Sequence, residues 1–486
     1  MQKSLLSMEE TKGITADKEK DFSEWYTQVV NKAELIEYTD VSGCLILRPY
    51  AFAMWERIVV YMDKLFKDRD VSNGYFPVLI PQRHLMKEAD HVEGFIPEVA
   101  WVTETGDTKL NEKLAVRPTS ETVMYPAYSK WIRSHRDLPL KINQWNNVVR
   151  WEFKHPMPFL RTREFLWQEG HTVFATKEEA EEEVMDILNN VYHSTCEELL
   201  AIPTLLGRKS EKEKFAGGFY TTSGEVVLPN GKAIQGFTSH CLGQNFAKAF
   251  DITYTDENKE KQYCWQNCWG FTTRTLGIMI ILHGDNKGLV LPPRIAPQQV
   301  VIVPILFQDS KEKVLEIGDE IKSKLNARVK LDDREGYTPG YKFNEWEMKG
   351  VPLRIELGPK DVRENQAVVV RRDTGEKNFV SLDELSEFVD KQLEEMHHSM
   401  LDRAKELMNS KVEEVETLDE LNRVVADKKI AYAPFCGGVE CEEELKDKAD
   451  GAKTLTSPFE QPDMSGKVCV GCGKPAERMF YIGKSY

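Results

Sequence analysis

Nowhere in the 486 residues is there a run of roughly 18 or more apolar residues, which rules out a membrane-spanning helix. The leading stretch MQKSLLSMEETKGITADKEKDFSEW has no apolar block long enough for a signal-peptide core and is acidic, unlike a transit peptide, so the expectation is a cytoplasmic protein. Positive charge is also in deficit. The 64 Lys and Arg against 79 Asp and Glu leave a net −15, which argues against a protein that coats nucleic acid indiscriminately and leaves room for a local basic patch. Repeats and low-complexity tracts are missing. So are GxxxxGK[ST], a GxGxxG after a strand, and HExxH, so any nucleotide chemistry must use another device. The closing Gly483-Lys484-Ser485 matches only the end of a phosphate loop, with no helix to follow. An even cysteine count is lacking too: nine suits a reducing compartment better than a disulfide framework. Cys44, Cys196, Cys241, Cys264 and Cys268 are scattered and read as buried thiols.

What is present reads as an α/β (α+β) protein of about three domains. Proline-rich punctuation at Gly288–Gln299 ends a first unit, 1–287, in which Phe52–Phe66 and Ala180–Leu200 are helical by periodicity and Leu140–Phe153 and Ile278–Leu282 read as strands. A second unit, 298–397, opens with Val300–Val303, an apolar run typical of a strand buried on both faces. Val314, Ile317, Ile321 and Leu325 then recur at helical spacing. Strands are expected at Leu353–Leu357 and Ala367–Arg371, and a helix around Leu382–Glu395. A third unit, 400–486, is charged and then cysteine-bearing.

In that third unit Cys436-x4-Cys441 and Cys469-x2-Cys472 supply two thiolate pairs, a donor set suited to tetrahedral Zn2+. Four ligands leave no open position, so the site is expected to be structural. In the first unit Arg150-Trp151-Glu152 is followed by the loop KHPMPFLRTREF, with Arg161 and Arg163, and by an apolar-aromatic segment from Phe165 to His171. Such a hairpin gathers guanidiniums whose planar forks grip phosphate oxygens.

These residues carry a resemblance. Arg150-x-Glu152 resembles motif 2 of the class II aminoacyl-tRNA synthetases, GFTTRTLGIMIILHGDNKGLVLPPRIAP their motif 3, and Asn73-Gly74-Tyr75-Phe76-Pro77 their motif 1. The strings Arg117-Pro118-Thr119-Ser120-Glu121-Thr122, FLRTREFLWQEGH and QGFTSHCLGQNF are similar to those of the prolyl-tRNA synthetases of archaeal and eukaryotic type. The likeness runs from about Phe22 to Tyr486 and includes the terminal tyrosine, whose carboxylate lies near the active site in that family.

The resemblance implies a catalytic domain with an antiparallel sheet and flanking helices (1–287), an α/β anticodon-binding domain (298–397) and a C-terminal zinc-binding domain (400–486). It implies a ligase that forms prolyl-adenylate from L-proline and ATP and passes proline to the end of tRNA(Pro). Arg150 would bridge the proline carboxylate and the α-phosphate, as a catalytic residue together with Arg274. Glu152 would accept from the adenine amino group, and Phe165 and Arg274 would sandwich the ring. Arg161, Gln235, Thr238 and Thr272 would hold phosphates and ribose, with Mg2+ on the triphosphate. Thr119 and Glu121 would take the secondary ammonium of proline. Trp167, Glu169, His171 and His240 would shape its ring pocket. Thr119 and Ser120 also suit the N-cap of a helix expected over Glu121–His135. Arg354, Lys360, Arg363, Arg371 and Arg372 would give the second unit positive charge toward tRNA. A homodimer through motif 1, including the apolar run Phe76–Ile80, is implied as well, and no editing domain in the stretch Thr172–Trp269.

Overall fold

A computed structural model describes residues 13–89, 98–152 and 155–486. Its centre is a seven-stranded sheet in the order Ser72–Asn73, Leu140–Val149, Glu164–Phe174, Trp265–Thr272, Ala233–Gly243, Tyr220–Val227 and Leu205–Arg208. Every pairing is antiparallel except the short edge contact of Ser72–Asn73 with Ile142 and Asn143, which is parallel. Because side chains alternate across a strand, one face of this sheet is free to line a cavity while the other packs on helices. Helices supply the core on that second face: Trp25, Tyr26, Met54, Ile58, Phe66, Leu188, Tyr192, Leu276 and Ile280 are all within 2% of full burial and belong to one apolar cluster.

The helix expected over Phe52–Phe66 runs from Pro49 to Lys67, with proline at its first position, where a missing N–H costs nothing. That expected over Ala180–Leu200 starts at Lys177, behind a reciprocal cap between Thr176 and Glu179. It continues through a π-helical turn at Ile187–His193 to Leu200. The stretch between Thr172 and Trp269 thus contributes helices and two central strands to this fold.

Three expectations in this unit are corrected. Ile278–Leu282 is not a strand but part of the helix Arg274–His283. A continuous apolar run does not distinguish the two, and here seven of the helix's residues are buried all round. The strand at Leu140 stops at Val149; Trp151 and Glu152 lie in a turn and Phe153 falls outside the described residues. The helix at Glu121 ends at Trp131, where Ile132 turns to extended backbone. Of the five scattered cysteines, Cys44 is half-buried and the other four are buried.

The second unit is a five-stranded sheet, Val329–Leu331, Val300–Pro304, Leu353–Leu357, Gln366–Arg371 and Lys377–Ser381. Its first three strands are parallel, and Val300–Pro304 is buried at every position, as its apolar run requires. The following helix runs from Leu385 to Ser410 without a break, so the boundary expected near 397–400 lies inside a continuous helix. The third unit is a four-stranded sheet of Val412–Glu414, Ile430–Phe435, Arg478–Gly483 and Lys453–Thr456. It abuts the central sheet: Arg208 bridges Ser457, and Ala233 bridges Ser485. Among the described residues no helix is long and apolar enough to cross a membrane.

Candidate active site

The hairpin Leu140–Val149/Glu164–Phe174 sets the register Asn146 opposite Trp167, Gln144 opposite Glu169 and Ile142 opposite His171. Period-two alternation then turns Phe165, Trp167, Glu169 and His171 to one face. Gly270 and Thr272 join them from one neighbouring strand, and Gln235, Thr238 and His240 from the next. Together they line a cavity of about 270 Å³ closed by Thr119 and Glu121, by Phe159, Leu160 and Arg161 from the hairpin loop, and by Arg150 and Arg274. Of the residues expected in the site, Arg163 does not line this cavity and Glu152 is exposed in its turn; the others lie here.

The wall containing Thr119 and Glu121 is fixed from behind. Arg117 donates to the carbonyls of Asn147 and Phe76, both at 2.8 Å, pinning the segment to the hairpin. Ser120 occupies the N-cap position of its helix, yet its side chain does not cap. Its hydroxyl donates instead to Glu169 Oε1, while that of Thr119 donates to Glu121 Oε2. Glu169 also accepts from Gln144 at 3.2 Å and Asn146 at 2.7 Å. Its second oxygen lies 3.2 Å from His171 Nε2. Trp167 donates its indole N–H to Asn146 and stands edge-on to Phe165, 6.0 Å between ring centres.

Electrostatics divide the cavity. Burial disfavours charge on both Glu169 and His171. Their mutual hydrogen bond nevertheless holds His171 above the usual imidazole value, with help from Glu121, and Glu169 below the usual carboxylate value. His240, bonded through Nδ1 to Thr221 at 2.9 Å, is pushed down to about 3 by burial, with His171 and Lys209 adding to the effect; it stays neutral. At the other end Arg274 donates to the carbonyls of Leu160 and Gln235. Burial, and then Arg150 and Arg161, push it down to about 10. Arg150 donates to the carbonyl of Pro118 at 3.0 Å and lies over Phe165 and Trp167. Among the described residues none of these three arginines forms a salt bridge. Cations held close together without a carboxylate form a site for a polyanion.

The Glu169–His171 pair sets a pH dependence. The stabilisation from His171 is complete below the unfolded imidazole value of ~6.5 and fades as pH rises through the raised folded value. That from Glu169 is complete above ~4.3 and fades as pH falls through the lowered folded value. Urea titrations across this range should show both limbs weaker in Glu169→Gln than in the native protein. The remainder comes from Glu121 acting on His171 and from other carboxylates held below their usual values, such as Asp186 and Asp332. Superimposable profiles would overturn the assignment.

Two arginine expectations need correction. Arg163 is turned out of the cavity, donating to the Ser42 carbonyl at 3.0 Å and stacking on Trp151 at 4.4 Å. In the second unit Arg354 pairs with Glu356, Arg371 with Asp373 and Arg372 with Asp285, so only Lys360 and Arg363 of the five stand exposed. The sequence reading missed Phe159, Thr162, Glu213, Phe215, Thr221, Cys268 and Trp269. Phe159 has a positive φ of 61°, rare for a bulky side chain, and no composition signal announces it. Cys268 was legible, facing His171 and His240 across the sheet.

In the third unit the Sγ atoms of Cys436, Cys441, Cys469 and Cys472 lie within 4.8 Å of one another. Two of their separations are 3.7 Å, close to the ~3.8 Å edge of a tetrahedron with Zn–S bonds of ~2.3 Å. The positive φ of Gly437 and Gly473 makes the turns that bring the pairs together.

The chain matches the tRNA synthetase class II core domain (G, H, P, S and T) over residues 101–283, an anticodon-binding domain over 299–392 and the C-terminal domain of prolyl-tRNA synthetase over 418–486. It is 50% identical to the cytoplasmic proline–tRNA ligase of Arabidopsis thaliana, over 98% of this chain and 91% of that one. It is 52% identical to the proline–tRNA ligase of Alkaliphilus oremlandii (strain OhILAs), over 96% and 97%. In structure it is similar to the prolyl-tRNA synthetase of Cryptosporidium parvum crystallised with halofuginone and AMPPNP. The TM-score is 0.94 at 49% identity, covering 98% of this chain and 97% of that one.

Proposed function

The chain belongs to the prolyl-tRNA synthetases, class II ligases that join proline to tRNA at the expense of ATP, and from that premise we propose how its residues divide the work. The carrying observation is the division of one cavity into an unpaired guanidinium end and an acid–histidine end. Thr119 and Glu121 take the two N–H groups of the proline ammonium. Trp167, Glu169, His171 and His240 enclose the ring, with Glu169 and His171 locked to each other so that the pocket keeps its shape. Phe165 stacks on adenine, Gln235, Thr238 and Thr272 hold ribose and phosphates, and Arg161 and Arg274 grip the bent triphosphate; a Mg2+ ion carried by that triphosphate would supply further charge compensation. Glu152 is assigned to the adenine amino group.

A proline carboxylate oxygen attacks the α-phosphorus and the bond to pyrophosphate breaks. Two anions approach one another in this step, and Arg150, beside both, stabilises the crowded charge of the transition state. The terminal ribose hydroxyl of tRNA(Pro) then attacks the acyl carbon and AMP leaves. No protein nucleophile is needed; catalysis is positioning and electrostatics. The cysteine cluster is assigned to a structural Zn2+. A homodimer is supported by exposed apolar side chains beside motif 1, Tyr75, Val78 and Leu79, although Phe76 and Ile80 of the same run are buried. A cytoplasmic location fits the odd count of nine cysteines and the name of the Arabidopsis relative.

The test is ATP–pyrophosphate exchange without tRNA across all twenty amino acids. Strong exchange with proline is expected. Alanine and cysteine should give weak signals, since an apolar pocket rejects a smaller side chain by only about 1–3 kcal/mol per methylene. Strong exchange with another amino acid would overturn the specificity.

A further inference from the structure

The segment 209–219 joins the edge strand Leu205–Arg208 to Tyr220–Val227 and brings Glu213 and Phe215 into the cavity wall. Within the catalytic unit Lys209 pairs with Glu225, and Asn245 donates to the Gly217 carbonyl at 2.9 Å. The strand Lys453–Thr456 of the C-terminal sheet lies along the segment. Arg208 and Ser457 exchange backbone hydrogen bonds at 2.8 and 2.7 Å, and Lys209 donates to the Leu455 carbonyl at 2.6 Å. Lys453 pairs with Glu213. Thr454 Oγ1 lies 3.2 Å from Ser210 Oγ and also bonds Glu442, with all three residues 3% exposed or less. Ser210 Oγ in turn accepts the Glu213 N–H at 3.2 Å. Two residues on, the Phe215 N–H donates to Thr221 Oγ1 at 2.8 Å. Thr221 Oγ1 meets His240 Nδ1, and the Phe215 ring sits 4.9 Å from that of His240. Glu442 directly follows Cys441, on the helix Val439–Lys448.

We infer that the C-terminal domain sets the proline pocket from outside: Lys453 and Thr454 are positioning residues that hold segment 209–219, and through it Phe215 and His240, in the geometry that receives the amino acid. Neither residue reaches the cavity. The inference rests on the assignment of the His240 end to proline. Among the described residues the side-chain bonds of Lys453 and Thr454 go to Glu213, Ser210 and Glu442, and not to the hairpin loop or the helix Arg274–His283 that carry the guanidinium end. Loss of either contact therefore acts on the amino acid and spares ATP. Removing Thr454 also strands buried polar groups, which amplifies its effect.

Two measurements on the full chain test this. The first is hydrogen exchange of the peptide covering 209–219, which needs no turnover. Lys453→Met and Thr454→Val should each speed its exchange, with the hairpin Leu140–Val149/Glu164–Phe174 unchanged. The second is pyrophosphate exchange, in which KM for proline should rise roughly tenfold in each variant, with kcat and KM for ATP within about twofold and Lys453→Arg restoring most of the loss. Unaltered exchange of 209–219 overturns the inference and leaves the ligase assignment standing. So does a uniform loss of kcat with both KM values fixed. Faster exchange of 209–219 in a protein whose native form shows no proline dependence would keep the mechanical coupling and overturn the assignment of the pocket. Should Thr454→Val fail to fold, Ser210→Ala removes the same contact from the other side and should reproduce the same two effects.

Discussion

Arg150→Ala should lower proline-dependent ATP–pyrophosphate exchange by at least about 10²–10³-fold, the scale on which loss of one preorganised charge-stabilising donor is felt. The side chain's only hydrogen bond among the described residues goes to the Pro118 carbonyl, and its guanidinium otherwise rests over Phe165 and Trp167. Few native contacts are lost with it, so thermal unfolding should barely change. Arg274 gains from the substitution, since one of the cations that lowers its pKa is gone; any loss of exchange is therefore not a consequence of a neighbour made worse. Arg150→Lys should recover part of the activity, because charge returns without the planar fork that reaches carboxylate and phosphate together. Near-normal exchange by the alanine variant would remove Arg150 from the chemistry.

Removing the metal should undo the C-terminal unit. Its apolar cluster is small and runs directly into the ligands: Leu445, Phe435, Phe480 and Val470 pack with Cys469, while Cys436 and Cys441 rest against them. In a unit of this size a single core rarely supplies more than about 3–5 kcal/mol, so a cross-link weighs heavily in its stability. Structural Zn2+ supplies an apparent 10–16 kcal/mol in isolated finger peptides, roughly the scale at stake here. A strong chelator, or Cys469→Ser, should abolish the unfolding transition of the C-terminal unit while the catalytic unit retains its own. Metal analysis of the native protein should return about one zinc per chain. A calorimetric profile indifferent to chelation would disprove the structural role.

The parts of the site that lie on strands were legible, because period two is a rigid rule. Phe165, Trp167, Glu169 and His171 were bound to share a face once the segment was extended, and they do. The same rule was available for the second unit and carries the opposite message: Arg354 and Glu356 are two apart on one strand and neutralise each other. Arg371 and Asp373 pair at the same spacing. Basic residues counted without their i+2 neighbours overstate a positive patch. Elsewhere no local rule operates. The helix Arg274–His283 is apolar on all sides, so its period is silent. Glu213 meets Lys453, 240 residues away in the chain, Phe215 meets the rings of His240 and Phe246, and Glu152 sits in a turn whose course no periodicity dictates.

The continuous helix Leu385–Ser410 acts as a keyed shaft. At about 1.5 Å of rise per residue its 26 residues span about 39 Å, rooted by Leu385, Val389 and Leu393 in the core of the second unit and ending at the strand Val412–Glu414 of the third. Adding one residue in mid-shaft would rotate everything beyond it by about 100° and advance it by about 1.5 Å. Lys453 would then be carried away from Glu213, and Ser485 from Ala233. Length changes between the two units would therefore have to fall at the ends of the shaft, and the angular phase of the cysteine-bearing unit against the catalytic sheet depends on a count of residues.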